Sequence, residues 1–305
     1  MSIVFAILLF SFLIFVHELG HFITAKLSGV QVNEFALFMG PAIFKKQVGD
    51  TLYSIRCIPI GGFCAMEGED EDTDNPRSFQ KAAWWKRLII LVAGSAMNLL
   101  AGVLLFAIVV APMKQIAVPV ISSFQDCCEF NGENGLQLGD EILAIDGERI
   151  YLNNDISLIL SLNDTPNHDI TVLRDGEKLV FENLPMAHTH TDENGQAYLH
   201  YGFGFGEAKD ATFGMKVNYV GRLLVNNVRN VRLSLSMLFS GKAGLADMTG
   251  PVGIVNMMSD VAGASETWVD ALLNMLYFGG FIAVNLAVMN LLPIPALDGG
   301  RVVAL

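Results

Sequence analysis

Charge is scarce in this chain. Only 16% of its 305 residues are Asp, Glu, Lys or Arg, against 52% apolar, which is too greasy a balance for an ordinary soluble domain. The little charge present runs acidic. Nineteen Lys and Arg face 31 Asp and Glu, a formal net charge of −12, and such a surface excludes nucleic-acid binding because it cannot neutralise phosphates. Cysteine is also sparse. The four, Cys57, Cys64, Cys127 and Cys128, show neither C-x-x-C spacing nor a disulfide framework, and adjacent cysteines rarely reach good disulfide geometry. All four are expected to be structural, so they do not identify the compartment.

The apolar residues are concentrated in three runs. The first covers residues 2–16 and continues past a polar interruption into Phe22-Ile-Thr-Ala25; the others cover 88–111 and 271–292. Each is about the length a helix needs to cross a ~30 Å hydrocarbon core. The first lacks the basic start of a signal peptide and has charged residues where a small-residue cleavage site belongs, so it reads as a span. The fold class expected is a polytopic α-helical membrane protein with three spans and the start of a fourth near Arg301.

The connections differ in texture. Residues 29–66 hold short alternating runs broken by Gly and Pro, which read as strands and hairpins. Residues 67–78 form an acidic, solvated loop, and Trp84, Trp85, Lys86 and Arg87 make an aromatic and basic anchor before the second span. The connection over about 112–268 is too long for a loop. Its first half alternates like a β-rich domain. In its second half, about 207–262, Val217, Val220, Leu223, Leu224 and Val228 recur at helical spacing, which fits a membrane-surface helix or a packing helix equally well. Eight basic residues between 26 and 87 put that connection in the cytoplasm and the long acidic one outside it.

The chemistry centres on His17-Glu18-Leu19-Gly20-His21. On a helix, residues four apart share a face, so both imidazoles can reach one metal ion. Glu18 sits beside them without being needed as a ligand. Two neutral imidazoles suit Zn²⁺, which takes three protein ligands in catalytic sites and would acidify a water whose proton Glu18 could take. The alternative of two stray histidines on a helix is disfavoured because ionisable residues inside a span usually pair, bind or catalyse. A third ligand is still needed. His168, His188, His190 and His200 lie in the long polar connection, where His188-x-His190 reads as an exposed loop. Asp298 is the better candidate. It follows the third span directly, after Pro293 and Pro295 break the helix and before Gly299 and Gly300 permit a tight turn. An interfacial turn with a surface Asp is the competing reading.

With HELGH in the first span and Asn290-x-x-Pro-x-Pro-x-Leu-Asp298-Gly in a late one, the chain resembles the site-2 protease family of intramembrane zinc metalloproteases. It is similar to the bacterial RseP-type branch in FMGPAIF and IPIGGFCAMEGE after the first span, in GSAMNLLAG within the second and in TGPVGIV before the third. The resemblance implies that His17, His21 and Asp298 ligate zinc, that Glu18 is the catalytic acid and base, and that Asn290 bonds the unwound substrate backbone. Residues 133–150 resemble the strand-loop-strand signature of a PDZ domain, and one such domain fits the chain. A PDZ groove adds a peptide as a strand, so this domain could sense or exclude substrate ectodomains. Residues 58–66, with Gly61, Gly62 and Phe63, read as a re-entrant β-hairpin whose open edge could pair with substrate, or as a structural hairpin against the spans. Asn98 reads as interhelical glue rather than a ligand. Family members continue into a full last helix where this chain stops at Leu305, which reads as a fragment.

The expected organisation is a first transmembrane helix over 1–28 and a cytoplasmic or membrane-associated β-hairpin region with the acidic loop over 29–85. A second transmembrane helix over 86–112 leads to a PDZ-like domain over 116–206. An amphipathic linker over 207–268 then precedes the third helix, the LDGG loop and the start of a last helix over 269–305. The function this implies is hydrolysis of peptide bonds in or near the transmembrane segment of single-span proteins, such as anti-sigma factors or remnant signal peptides, in the bacterial inner membrane. The active site would face the cytoplasm and the PDZ-like domain would lie outside. Membrane lipid and a peptide ligand of the PDZ-like domain are the other partners expected. Two alternatives compete: a non-catalytic membrane PDZ adaptor with a vestigial metal site, and a metal transporter. The intact Glu18 argues against the first, and the lack of ionisable residues in 88–111 against the second.

Overall fold

The structure is a computed structural model that describes residues 2–69, 71, 73–125, 132, 135–163, 165–191, 197–241, 253, 257, 260, 261, 263 and 265–305. Cys127 and Cys128 fall outside the described residues, as does nearly all of the TGPVGIV segment. Among the described residues, three helices are long and apolar enough to cross a membrane. They are α1 (Ser2–Ser28), α2 (Trp84–Val110) and a late one, Trp268–Asn290. The apolar runs thus became helices, with α2 drawing the anchor residues Trp84 to Arg87 into its first turn.

The chain divides into two compact units, 1–110 with 227–305, and 111–226. In the first, Ala6, Leu9 and Leu13 of α1, Ala101 and Leu105 of α2, and Ile282 and Ala283 of the late helix form one buried cluster. Outward faces stay apolar: Leu100 is 62% exposed and Leu104 60%. That is the pattern of helices whose solvent is lipid, where close packing rather than water exclusion drives association. Glycines let the helices approach. A Cβ on Gly102 would stand 2.7 Å from Val284 Cγ2, and one on Gly280 would overlap the Phe106 ring.

Strands β1 (Val32–Val48) and β2 (Thr51–Met66) turn at Gly49 and Asp50 and fold back on each other: 44–48 pair antiparallel with 51–55, 32–37 pair antiparallel with 62–66, and Glu34–Leu37 also pair with Leu52–Ile55. This corrects the expectation of a separate hairpin over 58–66, because those residues are one strand, the second half of β2. Two backbone groups of β2 are taken by α1 side chains: Ser11 Oγ donates to the Pro59 carbonyl at 2.7 Å, and Cys64 N–H donates to Glu18 Oε2 at 2.9 Å. The acidic loop after β2 is tied down at both ends. Glu67 N–H donates to the Gln31 carbonyl at one end, Gln31 N–H donates to the Arg77 carbonyl at the other, and Ser78 and Phe79 are buried.

The second unit holds β3 (Gln115–Phe124), β4 (Glu141–Ile145), β5 (Glu148–Arg149), β6 (Asn167–Arg174), β7 (Glu177–Pro185) and β10 (Phe203–Asp210). These make one antiparallel sheet in the order β10-β3-β4-β6-β7, with β5 on β4, beside a small β8 (His188–Thr191) and β9 (Ala197–His200) pair. His188 therefore sits on a strand rather than in a loop. Ile142, Ile145 and Ile170 are fully buried against α3 (Asn153–Leu162). That helix is stabilised by Asp155, whose carboxylate accepts from the N–H groups of Tyr151 and Leu152 at 2.8 Å each. The amphipathic stretch is helix α4 (Phe213–Phe239), and the division between units falls within it. Its burial does not follow the apolar spacing alone. Leu223 is buried, but so are Asn226, Asn227 and Arg229, while Val217 and Val228 are exposed. The late helix, Trp268–Asn290, is α5, and a short α6 (Asp298–Val303) begins at Asp298 rather than Arg301.

Candidate metal centre

Helix α1 places His17 and His21 one turn apart on a buried face, their Nε2 atoms 3.1 Å from each other. Asp298 reaches the same point from the first residue of α6, after the loop that follows α5. Its Oδ2 lies 3.1 Å from His17 Nε2 and 3.4 Å from His21 Nε2. That oxygen is buried, with no regular hydrogen-bond partner among the described residues.

The triangle suits a metal ion. Donor atoms on a tetrahedral zinc at about 2.0–2.2 Å stand roughly 3.3–3.6 Å apart. The observed edges of 3.1, 3.1 and 3.4 Å are close to that, and a cation at their centre would supply what the orphaned Oδ2 lacks. Three donors on one side also leave a fourth direction open for water or substrate.

Two sets of glycines make the convergence sterically possible. A Cβ on Gly20 would overlap the Ala93 carbonyl and come within 2.9 Å of Met97 Cγ, so this glycine of HELGH sets how near α1 and α2 can lie. A Cβ on Gly94 would overlap His21 Nε2 and stand 2.6 Å from His17 Cε1, so α2 leaves the room that both rings occupy. In the Asp298 loop the residue in the left-handed region is Ala296, at φ 79°, not a glycine. Gly299 and Gly300 serve close approach instead. Side chains there would strike the carbonyls of Leu291, Leu292 and Ile294, over which the start of α6 folds. Arg301 then pairs with Glu69, tying α6 to the loop after β2.

Of the residues singled out in the sequence, His17, Glu18, His21 and Asp298 come together, and Asn290 joins them with its Nδ2 3.5 Å from His17 Nδ1. His168 has another partner: its Nδ1 pairs with Asp146 Oδ2 at 2.7 Å inside the second unit. Gly61 and Gly62 are buried, packed against Met39 and the Ala36 carbonyl of β1. Cys64 is buried and burial pushes its thiol up, which leaves it inert, as expected of a structural cysteine; Cys57 is exposed. The sequence reading missed Gly94 as the space for the imidazoles, the Cys64 N–H that holds Glu18, and the Ile90 carbonyl 2.8 Å from His21 Nδ1. The first could have been suspected from a small residue in a span opposite HELGH. The other two are backbone groups, which carry no sequence signal.

Comparison with known proteins gives a consistent result. The model of Peptidase family M50 matches residues 5–305. A protein of Clostridium perfringens is 35% identical over 307 residues, covering 99% of this chain and 86% of that relative, and one of Clostridium acetobutylicum is 35% identical over 301 residues, covering 99% and 85%. Both carry the provisional name of zinc metalloprotease. The regulator of sigma-W protease RasP of Bacillus subtilis is 27% identical over 384 residues, covering 98% of this chain and 88% of its own length.

Proposed function

Because this chain belongs to peptidase family M50, we propose that it is an integral-membrane zinc endopeptidase that cuts single-span membrane proteins in or near their transmembrane segments. The observation that carries this reading is the meeting of His17, His21 and Asp298 around one point, with Glu18 alongside. His17 and His21 would hold zinc through Nε2 and Asp298 through Oδ2. Bound there, zinc supplies polarisation of the scissile carbonyl and a lower pKa for an attacking water.

The remaining work falls to side chains of this protein. Glu18 takes the proton of the water as its oxygen bonds to the carbonyl carbon, and returns it to the amine nitrogen as the C–N bond breaks. The Cys64 N–H fixes which way the Glu18 carboxylate points. Asn290, at the edge of the site, would bond the unwound substrate backbone. The Gly61-Gly62-Phe63 stretch of β2 would receive it as an added strand, because a helical peptide bond is shielded and must be extended first. In this reading the hairpin is re-entrant and the site opens to the cytoplasm, since the basic residues cluster in the 26–87 connection. The unit at 111–226, with its strand-rich fold, would be a single PDZ-like domain on the other side of a bacterial inner membrane. Anti-sigma factors and remnant signal peptides are substrates of the fitting kind.

The deciding experiment measures zinc content and cleavage of a transmembrane-peptide reporter in detergent, for the parent and Glu18→Gln. Near-stoichiometric zinc in both, with cleavage in the parent alone and a loss of about 10²-fold or more in the variant, is expected. Equal cleavage by both would remove Glu18 from the mechanism. Zinc without cleavage in either would favour a membrane adaptor with a vestigial site.

A further inference from the structure

His17 and His21 present the same nitrogen, Nε2, to the proposed metal position, but their other nitrogens meet different partners. His21 Nδ1 lies 2.8 Å from the Ile90 carbonyl oxygen. A carbonyl can only accept, so His21 carries its proton on Nδ1 and keeps the Nε2 lone pair free. His17 Nδ1 faces two side-chain amides instead, Asn98 at 3.4 Å and Asn290 at 3.5 Å, each through Nδ2. A ring that accepts at Nδ1 carries its proton on Nε2, the atom that faces His21 and Asp298, and that tautomer has no lone pair there for a cation.

Asn98 can reverse this. It sits on α2 one turn after Gly94, is 1% exposed, and its Oδ1 is buried with no hydrogen-bond partner among the described residues. Nothing therefore pins Oδ1 where it is. Half a turn about the Cβ–Cγ bond exchanges oxygen and nitrogen within nearly the same volume. The exchange replaces a long N···N contact with a hydrogen bond that His17 Nδ1–H donates. Asn290 is less buried, its Oδ1 is not orphaned in this way, and its proposed task lies with substrate.

We infer that Asn98 is a positioning residue for His17, its amide oxygen accepting from Nδ1–H so that Nε2 is held unprotonated toward the metal. The inference rests on the zinc site proposed above. Ligating histidines are commonly fixed by such outer partners, and losing one costs about 10–100-fold in metal affinity.

The test is chelator-competition zinc affinity of the full chain in detergent for the parent, Asn98→Leu, Asn98→Asp and His17→Ala. Asn98→Leu is expected to weaken binding by about 10–100-fold, and Asn98→Asp to bind at least as tightly as the parent, because a carboxylate accepts the same proton more strongly. A merely structural role predicts the opposite order, since leucine suits a buried membrane helix and a carboxylate does not. Asn98→Leu within about threefold of the parent, or Asn98→Asp as weak as Asn98→Leu, would overturn the inference. Parental affinity in His17→Ala would instead overturn the site reading, and this inference with it. Ring nitrogen-15 spectra of the metal-free parent give a second measurement independent of any variant: His17 protonated on Nδ1 is expected, and protonation on Nε2 would refute it.

Discussion

The two units of this chain differ in what they bury and what they expose. In 111–226 the interior is an apolar core, with Ile142, Ile145, Ile156 and Ile170 fully buried, and its buried carboxylates, Asp155 and Asp140, are held by backbone N–H groups and by Arg174. In the helical unit, large apolar side chains such as Leu8, Phe12, Leu100 and Leu104 face outward, while His17, His21, Ser95 and Asn98 are buried. Where water is the solvent, burying a side chain stabilises by excluding water. Where lipid is the solvent, that gain is absent, and the interior can be given over to glycines and chemistry.

Four substitutions sharpen that contrast. Gly94→Ala should have the largest effect, because the added methyl occupies space the two imidazoles need. Zinc affinity measured by chelator competition should fall by more than about 100-fold, beyond the cost of losing a supporting hydrogen bond. Unchanged affinity would mean that α2 can shift to admit a side chain. Ile142→Ala should destabilise the 111–226 unit by about 2–5 kcal/mol, read from amide exchange of β4 in the full chain, and leave zinc binding alone. A loss of zinc in that variant would show that the two units are not energetically separate.

A smaller effect attaches to Asp146. Its partial burial would raise the carboxyl, but the hydrogen bond with His168, the Asp169 N–H and the Asn163 amide outweigh it and hold the group below the usual range. A folded-state value below the unfolded one stabilises the fold above the unfolded pKa of ~3.9, and that contribution is lost as pH falls through the folded value. Asp146→Asn should therefore flatten the loss of exchange protection in the second unit below about pH 4, leaving neutral-pH behaviour to the lost hydrogen bonds alone. An unaltered acid limb would refute this. Leu104→Ala should have the smallest effect, within about 0.5 kcal/mol in thermal unfolding in detergent, because its side chain leaves one apolar solvent for another. A cost like that of Ile142→Ala would mean that this face is covered.

The same contrast governs what the sequence discloses. Apolar runs of spanning length announced α1, α2 and α5, and HELGH announced the face of α1 on which His17 and His21 meet, because composition and helical spacing are local properties. The hairpin was legible as strands but not in its pairing. Residues 58–66 look self-contained with their Pro and two glycines, yet their partner is β1, some twenty-five residues earlier, and long-range register leaves no local mark. Helix α3 went unseen because Asn153, Asn154 and Asp155 resemble a loop until Asp155 is found bonding the two N–H groups before it. On α4 the periodicity identified the helix but left open which residues it buries: Asn226 and Arg229 are buried and Val228 is not. Asp298 was legible as a break after a span, although the role of its glycines was not. Their task is to let α6 lie against the Leu291–Ile294 backbone, and the left-handed turn falls to Ala296.

The grip of α1 on β2 has one more consequence. Ser11 and Glu18, two turns apart on the helix, hold the strand at Pro59 and Cys64, on either side of Gly61-Gly62-Phe63. Lifting the strand off the helix frees the Glu18 carboxylate and the Ser11 hydroxyl in the same movement, so neither part can be displaced without the other. The arrangement works as an interlock: the carboxylate is held in one direction while the strand is seated and is released when the strand lifts.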